Sequence, residues 1–418
     1  MLESSIRMAR VLLALVAAAA CAPPPAAPVA PTAPIVILVG IDGWRADYLA
    51  RDAAPAVQAL ASAGVRAEGL IPAFPSKTFP NHYTLVTGLT PAHHGIVGNT
   101  MVDPALPGRF SLSARDVIAD PRWWGGEPVW LTAERQGLSA APYFWPGSEA
   151  PIGGRHARYW VPFDNDVPDA DRVAQVLAWL RLPEADRPRF ITLYFSDVDT
   201  AGHWYGPDAP ETARAVAAVD EAVAGLVRGV EALGLADRVQ YVLVSDHGMA
   251  AVPADHHIVL DDFLDLATVD VIEWTPLLMV APRDGGDPEA IYRALAGRHP
   301  ALHVYRRSEI PAAWGLRDHP RVPPVVAMAD EGWNLVSRRE TGQWTAGTRR
   351  RPAGNHGYDP DTSPTMAGLF VASGSRLRRG VVVPAFRNIH VYDLLCALLD
   401  LTPAPNDGDP GVTAGMLK

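Results

Sequence analysis

The chain has 418 residues, 48% of them hydrophobic, enough to bury a large core; wholesale disorder and collagen-like repeats are excluded. Lys and Arg number 36 against 46 Asp and Glu, a net charge of −10 and the reverse of the basic footprint of a duplex nucleic-acid binder, although small anions can bind beside a local cation. Two cysteines are too few for a disulfide framework or a cysteine-rich zinc module.

The first element in chain order is a targeting segment. Arg7 and Arg10 precede the apolar run Val11–Ala20, and Ala18, Ala19 and Ala20 lead to Cys21, the layout of a secretory signal over residues 1–20. The run is too short for a mature membrane span, which needs about 20 apolar residues. The small residues before Cys21 resemble a bacterial lipoprotein cleavage site, with Ala18 where a larger aliphatic residue is usual; a lipid on Cys21 would tether the chain to a membrane. Residues 21–34 carry Pro23, Pro24, Pro25, Pro28, Pro31 and Pro34, a polyproline-like tether. These features predict an exported protein, periplasmic or in the outer envelope. No later stretch is long and apolar enough to span a bilayer.

Ile35–Ile41 (IVILVGI) is uninterrupted apolar sequence, the pattern of a strand buried on both faces of a parallel sheet, and Asp42-Gly43 follows it. In Phe74–Tyr83, Pro80 fits a first helical turn that Thr84–Thr87 can continue, so Thr78 falls beside a helix N-terminus, where free N–H groups favour an anion. A threonine hydroxyl is a poor nucleophile unless its proton is removed, which metal coordination would do; without a metal, Thr78 reads as a helix cap. Phe190–Phe195 is a second buried-strand pattern, ahead of Asp199 and His203. Val216, Val219, Val223, Leu226, Val230 and Leu233 recur at helical spacing, and Gly234 suits the C-terminal cap. A third strand, Gln240–Val244, leads into Ser245-Asp246-His247-Gly248. Strand, helix and strand predict a right-handed crossover, and in such sheets the site lies at the carboxyl ends of the strands. Residues from about 249 to 352 mix short strands and helices with many prolines and are read as a small cap inserted into a catalytic domain spanning 35–418. Gly354-Asn355-His356-Gly357 then precedes a fourth candidate strand, Gly368–Ala372. Cys396 lies in an apolar helical pattern and reads as structural.

Asp42, Asp199, His203, Asp246, His247 and His356 are carboxylates and imidazoles with no thiolate, a set that suits zinc or another borderline divalent metal. Six ligands are enough for two metals at three each, with open positions for substrate. Singly, each piece reads as a turn, a solvated i, i+4 pair or a loop histidine. Their joint placement after buried strands carries the argument.

On these residues the chain resembles the nucleotide pyrophosphatase/phosphodiesterase family of the alkaline phosphatase superfamily. The likeness runs from about Ile35 to Asn406 through VGIDGWRADYL, FPSKTFPNHYTLVTGLTPAHHGIVGN, WWGGEPVW, FWPGSEAPIGG, DVDTAGHWYGP, VSDHGM, GNHGYD and HVYDLLCALLDLTPAPNDG. It implies an α/β, alkaline-phosphatase-like sandwich: a mostly parallel central sheet flanked by helices, with a small capping subdomain. It also implies two zinc ions per chain, one on Asp42, Asp246 and His247 with Thr78 as its substrate-facing partner, the other on Asp199, His203 and His356. Thr78 would attack phosphorus, and Asn99 would hydrogen-bond a phosphoryl oxygen. Phe79 and Tyr194 match an aromatic slot for a nucleotide base, and Phe163 stands where such members often carry tyrosine. Trp123, Trp124, Trp130 and Trp145 match family positions too and read as structural.

Charge arithmetic points the same way: three aspartates contribute −3, two zinc ions +4 and a threonine alkoxide −1, a near-neutral centre that fits a diester monoanion better than a monoester dianion. Lys77 is the adjacent cation whose direction bears on this. The expected activity is that of a phosphodiesterase and nucleotide pyrophosphatase releasing a nucleoside 5'-monophosphate through a phosphothreonine intermediate. The alternatives are a phosphomonoesterase or phosphonate hydrolase with the same cage, a choline-phosphodiester hydrolase, and a non-catalytic surface binding protein, which would be expected to have lost ligands. A sulfatase would need Cys or Ser in C/S-x-P-x-R where this chain has Thr78. Triphosphates, dinucleotides, nucleotide sugars and choline diesters share one phosphorus chemistry, so the choice among them rests on the pocket around Phe79, Phe163 and Tyr194.

Overall fold

Residues 33–50 and 54–418 are described by a computed structural model. The signal segment, Cys21 and all of the tether before Ala33 lie outside the described residues.

The long apolar runs become the middle of the sheet. In chain order its members are β1 (Ile35–Ile41), β2 (Val65–Ala67), β3 (Ala140–Ala141), β4 (Phe190–Phe195) and β5 (Val239–Val244). A separate sheet then follows, made of β6 (Val269–Glu273), β7 (Leu277–Pro282), β8 (Leu302–Arg306) and β9 (Val325–Ala329), before β10 (Phe370–Ser373) and β11 (Val381–Val383) return to the first. The order across the large sheet is β11-β2-β10-β5-β1-β4-β3. β1 pairs in parallel with β4 on one side and β5 on the other, with Gly40 opposite both Tyr194 and Val244, so the carboxyl ends of these three strands stop at one level. β10 runs against its neighbours β5 and β2, and the remaining pairings are parallel. The sheet is therefore mostly parallel.

The helices are α1 (Pro55–Ala63), α2 (Thr78–Thr87), α3 (Asp169–Leu180), α4 (Asp197–Tyr205), α5 (Pro210–Ala232), α6 (Pro288–Leu295), α7 (Arg338–Thr345) and α8 (Val391–Leu398); α1, α3, α4 and α5 cover one face of the large sheet and α2 and α8 the other. Successive strand side chains point to opposite faces. Thus Val36 and Leu38 of β1 pack with Tyr83 and Leu85 of α2 and Leu394 of α8, while Ile35, Ile37 and Val39 pack with α1, α3 and α5. The stripe expected on α5 is the buried one: Val216, Val219, Val223, Leu226 and Val230 are shielded from solvent, each contributing about 1.5–3 kcal/mol on full burial. Gly234 follows that helix at φ 68°, in the left-handed region that favours glycine. Cys396 is buried in α8, as its apolar surroundings predict.

The four strands β6–β9 form an antiparallel sheet in the order β6-β7-β9-β8. One face packs Leu278, Val280 and Ala327 against Ile291 and Leu295 of α6; the other sends Leu277, Met279, Val326 and Met328 into the main core. Among the described residues no helix is long and apolar enough to cross a membrane.

Candidate metal centre

The level strand ends of the parallel sheet set out the acids. Asp42 follows β1 with its N–H still in the ladder, donating to the Phe195 carbonyl at 2.9 Å. Gly43, at φ 68°, turns the chain against α4 so tightly that a Cβ there would lie 2.7 Å from the Asp199 Cα. Its N–H donates to Asp246 Oδ1 at 3.3 Å, tying the end of β1 to the segment after β5. Asp199 and His203, both on α4 and four residues apart, share one helix face. His356 arrives just after a two-residue strand, Gly354–Asn355.

All six predicted ligands come together, in two groups. Asp42, Asp246 and His247 form one and Asp199, His203 and His356 the other; within each, the donor atoms lie within 4.8 Å of one another. His247 Nε2 stands 2.9 Å from Asp246 Oδ2 and 3.4 Å from Asp42 Oδ1. Asp199 Oδ1 stands 3.4 Å from His203 Nε2 and 3.7 Å from His356 Nε2. The rings of His247 and His356 stack with centroids 3.5 Å apart, so the groups adjoin.

Each imidazole is oriented through its other nitrogen. Nδ1 of His203, His247 and His356 donates to the carbonyls of Gly354 at 3.1 Å, Gly248 at 2.9 Å and Ser76 at 2.8 Å. A neutral ring that donates from Nδ1 keeps a lone pair on Nε2, here aimed at carboxylate oxygens that are also lone pairs. Asp42 Oδ1, Asp246 Oδ2 and Asp199 Oδ1 are buried without a hydrogen-bond partner among the described residues. Converging lone pairs repel, and a divalent cation is the partner that satisfies them. Burial, then the nearby negative Asp246 and Asp199, drives the Asp42 pKa well above the usual carboxylate range. Burial acts on Asp246 in the same direction, yet His247 and His82 beside it hold its carboxyl well below that range. The residues present therefore fit the two ions expected of them.

Thr78 opens α2, with Oγ1 3.4 Å from His247 Nε2. The Phe79 N–H at the same helix start donates to Asn99 Oδ1 at 2.9 Å, which fixes the amide and leaves its NH2 as the free donor. Lys77 turns the other way. Its Nζ donates to the carbonyls of Thr275 at 2.7 Å and Trp274 at 3.3 Å and lies 4.0 Å from Glu273 Oε1. Burial lowers its pKa, with Glu273 opposing. Sequence reasoning left this direction open; the ammonium faces the loop between β6 and β7.

Phe79, Phe163 and Tyr194 line a cavity of about 140 Å3 whose floor is Thr78, Asp42 and Asp199. Tyr194 has two attachments: its ring stands 6.0 Å from Phe163 at 71°, and its hydroxyl donates to Asp42 Oδ2 at 2.6 Å. Burial, reinforced by Asp42, raises its pKa and keeps it a phenol. Trp145, read as structural, also lines this cavity and donates from Nε1 to the His82 carbonyl at 2.9 Å; Trp123, Trp124 and Trp130 are buried.

Sequence reasoning missed several residues. His82 Nδ1 reaches the Thr78 carbonyl at 3.1 Å and Asp246 Oδ2 at 3.3 Å, joining the nucleophile segment to the first group. Its spacing of four from Thr78 on one helix was the available signal. Arg115 and Glu149 form an ion pair on the cavity wall; Arg115 lies 5.8 Å from the Phe163 ring centroid, and Glu149 Oε1 accepts from the Phe163 N–H at 3.2 Å. Arg115 starts a four-residue helix and Glu149 lies in a loop, where no periodicity marks them.

The family model for type I phosphodiesterase / nucleotide pyrophosphatase matches residues 36–359. An uncharacterized pyrophosphatase/phosphodiesterase of Schizosaccharomyces pombe is 37% identical over 383 residues, covering 89% of this chain and 78% of that protein. Human ectonucleotide pyrophosphatase/phosphodiesterase family member 1 is 36% identical over 393 residues, 91% of this chain and 42% of that protein. A venom phosphodiesterase of Crotalus durissus collilineatus is 36% identical over 392 residues, 92% of this chain and 46% of that protein. The chain thus spans less than half the length of the human and venom relatives. Among solved structures, murine ectonucleotide pyrophosphatase / phosphodiesterase 5, in an inactive threonine-to-alanine form in complex with AMP, superposes with a TM-score of 0.86 at 34% identity, over 92% of this chain and 100% of that one.

Proposed function

Because the chain belongs to the type I phosphodiesterase / nucleotide pyrophosphatase family, we propose that it is a two-zinc hydrolase of nucleotide phosphodiesters and phosphoanhydrides that releases a nucleoside 5'-monophosphate. The observation that carries this is the position of Thr78: a hydroxyl at a helix start, beside the first ligand group and on the floor of an aromatic-walled cavity. In the murine relative an AMP complex goes with an inactive threonine-to-alanine form. The secretory-signal layout of residues 1–20 supports export, and a lipid on Cys21 would tether the chain to a membrane.

Asp42, Asp246 and His247 would hold one zinc and Asp199, His203 and His356 the other, supplying positive charge that acidifies a hydroxyl and offsets the phosphoryl oxygens. The Thr78 Oγ1–phosphorus bond forms as the bond from phosphorus to the departing oxygen breaks, leaving the nucleoside phosphate esterified to Thr78. Water then attacks phosphorus, the threonine ester breaks, and the monophosphate leaves with Thr78 restored. Asn99, its carbonyl held by the Phe79 N–H, offers its NH2 to a phosphoryl oxygen. Phe79, Phe163 and Tyr194 grip the base, and Tyr194 keeps Asp42 in place. The Lys77 ammonium, engaged by the Thr275 and Trp274 carbonyls, makes no direct contact that would reward a monoester dianion over a diester.

Zinc-loaded protein should cleave the p-nitrophenyl ester of thymidine 5'-monophosphate and outpace its own rate on p-nitrophenyl phosphate. Thr78→Ala should abolish turnover and trapped phosphoprotein while metal analysis still finds about two ions per chain. Full-rate cleavage by metal-free protein would refute the assignment.

A further inference from the structure

Two walls of the aromatic slot come from separate stretches of chain: Tyr194 lies near the end of β4, and Phe163 lies in the loop ahead of α3. The Phe195 carbonyl faces β1, where it accepts from the Asp42 N–H, so the Tyr194 carbonyl faces the opposite edge of β4. On that edge the pairing with β3 stops at Ile191, short of Tyr194. A buried strand carbonyl beyond the reach of the ladder needs another donor.

Arg172, in the first turn of α3 and 2% exposed, is that donor. Its Nη1 donates to the Tyr194 carbonyl at 2.9 Å. Nε donates to the Val167 carbonyl at 2.9 Å and Nη2 to the Asn165 carbonyl at 3.3 Å, both in the loop that carries Phe163. The guanidinium also lies 5.4 Å from the Phe144 ring centroid. Phe144 lines the slot, sits in the left-handed region at φ 58°, and meets the Phe163 ring at 77° with centroids 5.4 Å apart. Arg172 is not one of the slot's lining residues; it borders a groove of about 510 Å3 behind it, with Asp169 Oδ1 3.9 Å from Nε. The Ser196 hydroxyl, donating to Asn165 Oδ1 at 3.1 Å, is an exposed second tie across the same gap.

One planar cation thus fixes two backbone segments relative to each other and packs on the ring between them. A lysine ammonium is a point charge on a flexible stem and does not reproduce that fork. We propose that Arg172 is a positioning residue for nucleoside recognition: it sets the separation of the Tyr194 and Phe163 walls, and with it the advantage of a nucleoside ester over a plain one. The proposal rests on the base-gripping slot inferred above and adds the residue that holds its shape. Arg172 makes its hydrogen bonds to backbone carbonyls outside both ligand groups, so its loss falls on nucleoside binding ahead of the reaction at phosphorus.

The test compares two substrates with one leaving group on the zinc-loaded full chain: the p-nitrophenyl ester of thymidine 5'-monophosphate and methyl p-nitrophenyl phosphate, which carries no base. Arg172→Met and Arg172→Lys are assayed where circular dichroism shows each variant folded. They should lower kcat/KM on the nucleoside ester about tenfold, mainly through KM, and on the methyl ester by less than about threefold. Arg172→Lys keeps a charge beside Asp169 and carries the test if Arg172→Met does not fold. Phe163→Ala should lower the same nucleoside-to-methyl ratio, and adding Arg172→Met to it should lower the ratio by less than about a further twofold, since both changes act on one wall. Equal losses on the two substrates overturn the proposal, because a role in the fold alone weakens both. Losses that multiply in the double variant overturn it as well, as does a nucleoside preference that Phe163→Ala removes and the Arg172 variants keep. Absence of any nucleoside preference in the unaltered enzyme strikes the slot itself and the proposal with it.

Discussion

His94 shows how a single buried side chain sets a pH limit. Its Nδ1 accepts from the Ile96 N–H at 3.1 Å, so Nε2 carries the proton and donates to Thr84 Oγ1 at 2.9 Å. Burial lowers its pKa to about 3 from an ordinary 6.5. The unfolded chain therefore takes up a proton below about pH 6.5 that the folded one refuses, and stability is full above that pH and is lost as pH falls towards 3. In chelator-treated protein the loss of Tm between pH 7 and pH 5 should be smaller in His94→Gln than in the unaltered chain, a difference read by calorimetry. The candidate ligand residues were the easiest to pick out of the sequence, since Asp42 comes directly after one apolar run and Asp246 one residue after another, runs that read as buried strands. Arg115 and Glu149 left no such mark: what assigns them to the cavity wall is the path of the chain around them, which local spacing does not record.

The close approach of elements is decided by β1. A Cβ on Gly40 would meet Trp145 Cζ3 at 2.7 Å and His82 Nε2 at 3.2 Å, so the glycine is what lets α2 and Trp145 settle against the strand. Gly40→Ala should cost about 1–3 kcal/mol, typical of overpacking. Because His82 is joined to Asp246 and the Thr78 carbonyl, kcat should fall alongside Tm. Assay at a temperature where the variant stays folded separates the two effects. Elements with both faces buried, β1, β4 and β5, were readable because their apolar runs have no other explanation. β10 was readable as a strand but not in direction, since an apolar run reads the same either way along a sheet. The three residues of β2 and the two of β3 are too short for any period to show.

Across the whole molecule, the six candidate ligand residues, spread from Asp42 to His356, come from the ends of β1 and β5, helix α4 and the segment beyond the antiparallel sheet, so ions held there would tie these parts together. Anything that binds only the folded chain stabilises it by mass action. Removing the two ions should therefore lower Tm by about 5–10 °C, with recovery on adding two equivalents of zinc, measured by differential scanning fluorimetry. An unchanged Tm would mean that the groups do not hold ions. The α/β class and the crossover were legible because the central strands and α5 follow simple periods; the sheet of β6–β9 was not, because its strands average one face to α6 and the other to the main core, leaving only a mixed pattern. The inward turn of Lys77 bears on the end of the catalytic cycle. Hydrolysis of a diester, as proposed, would leave a monoester with one more negative charge than the substrate, and the Lys77 ammonium is engaged by the Thr275 and Trp274 carbonyls. With that ammonium engaged elsewhere, a nucleoside monophosphate should inhibit less than it would beside a lysine turned into the slot, a difference read as its inhibition constant.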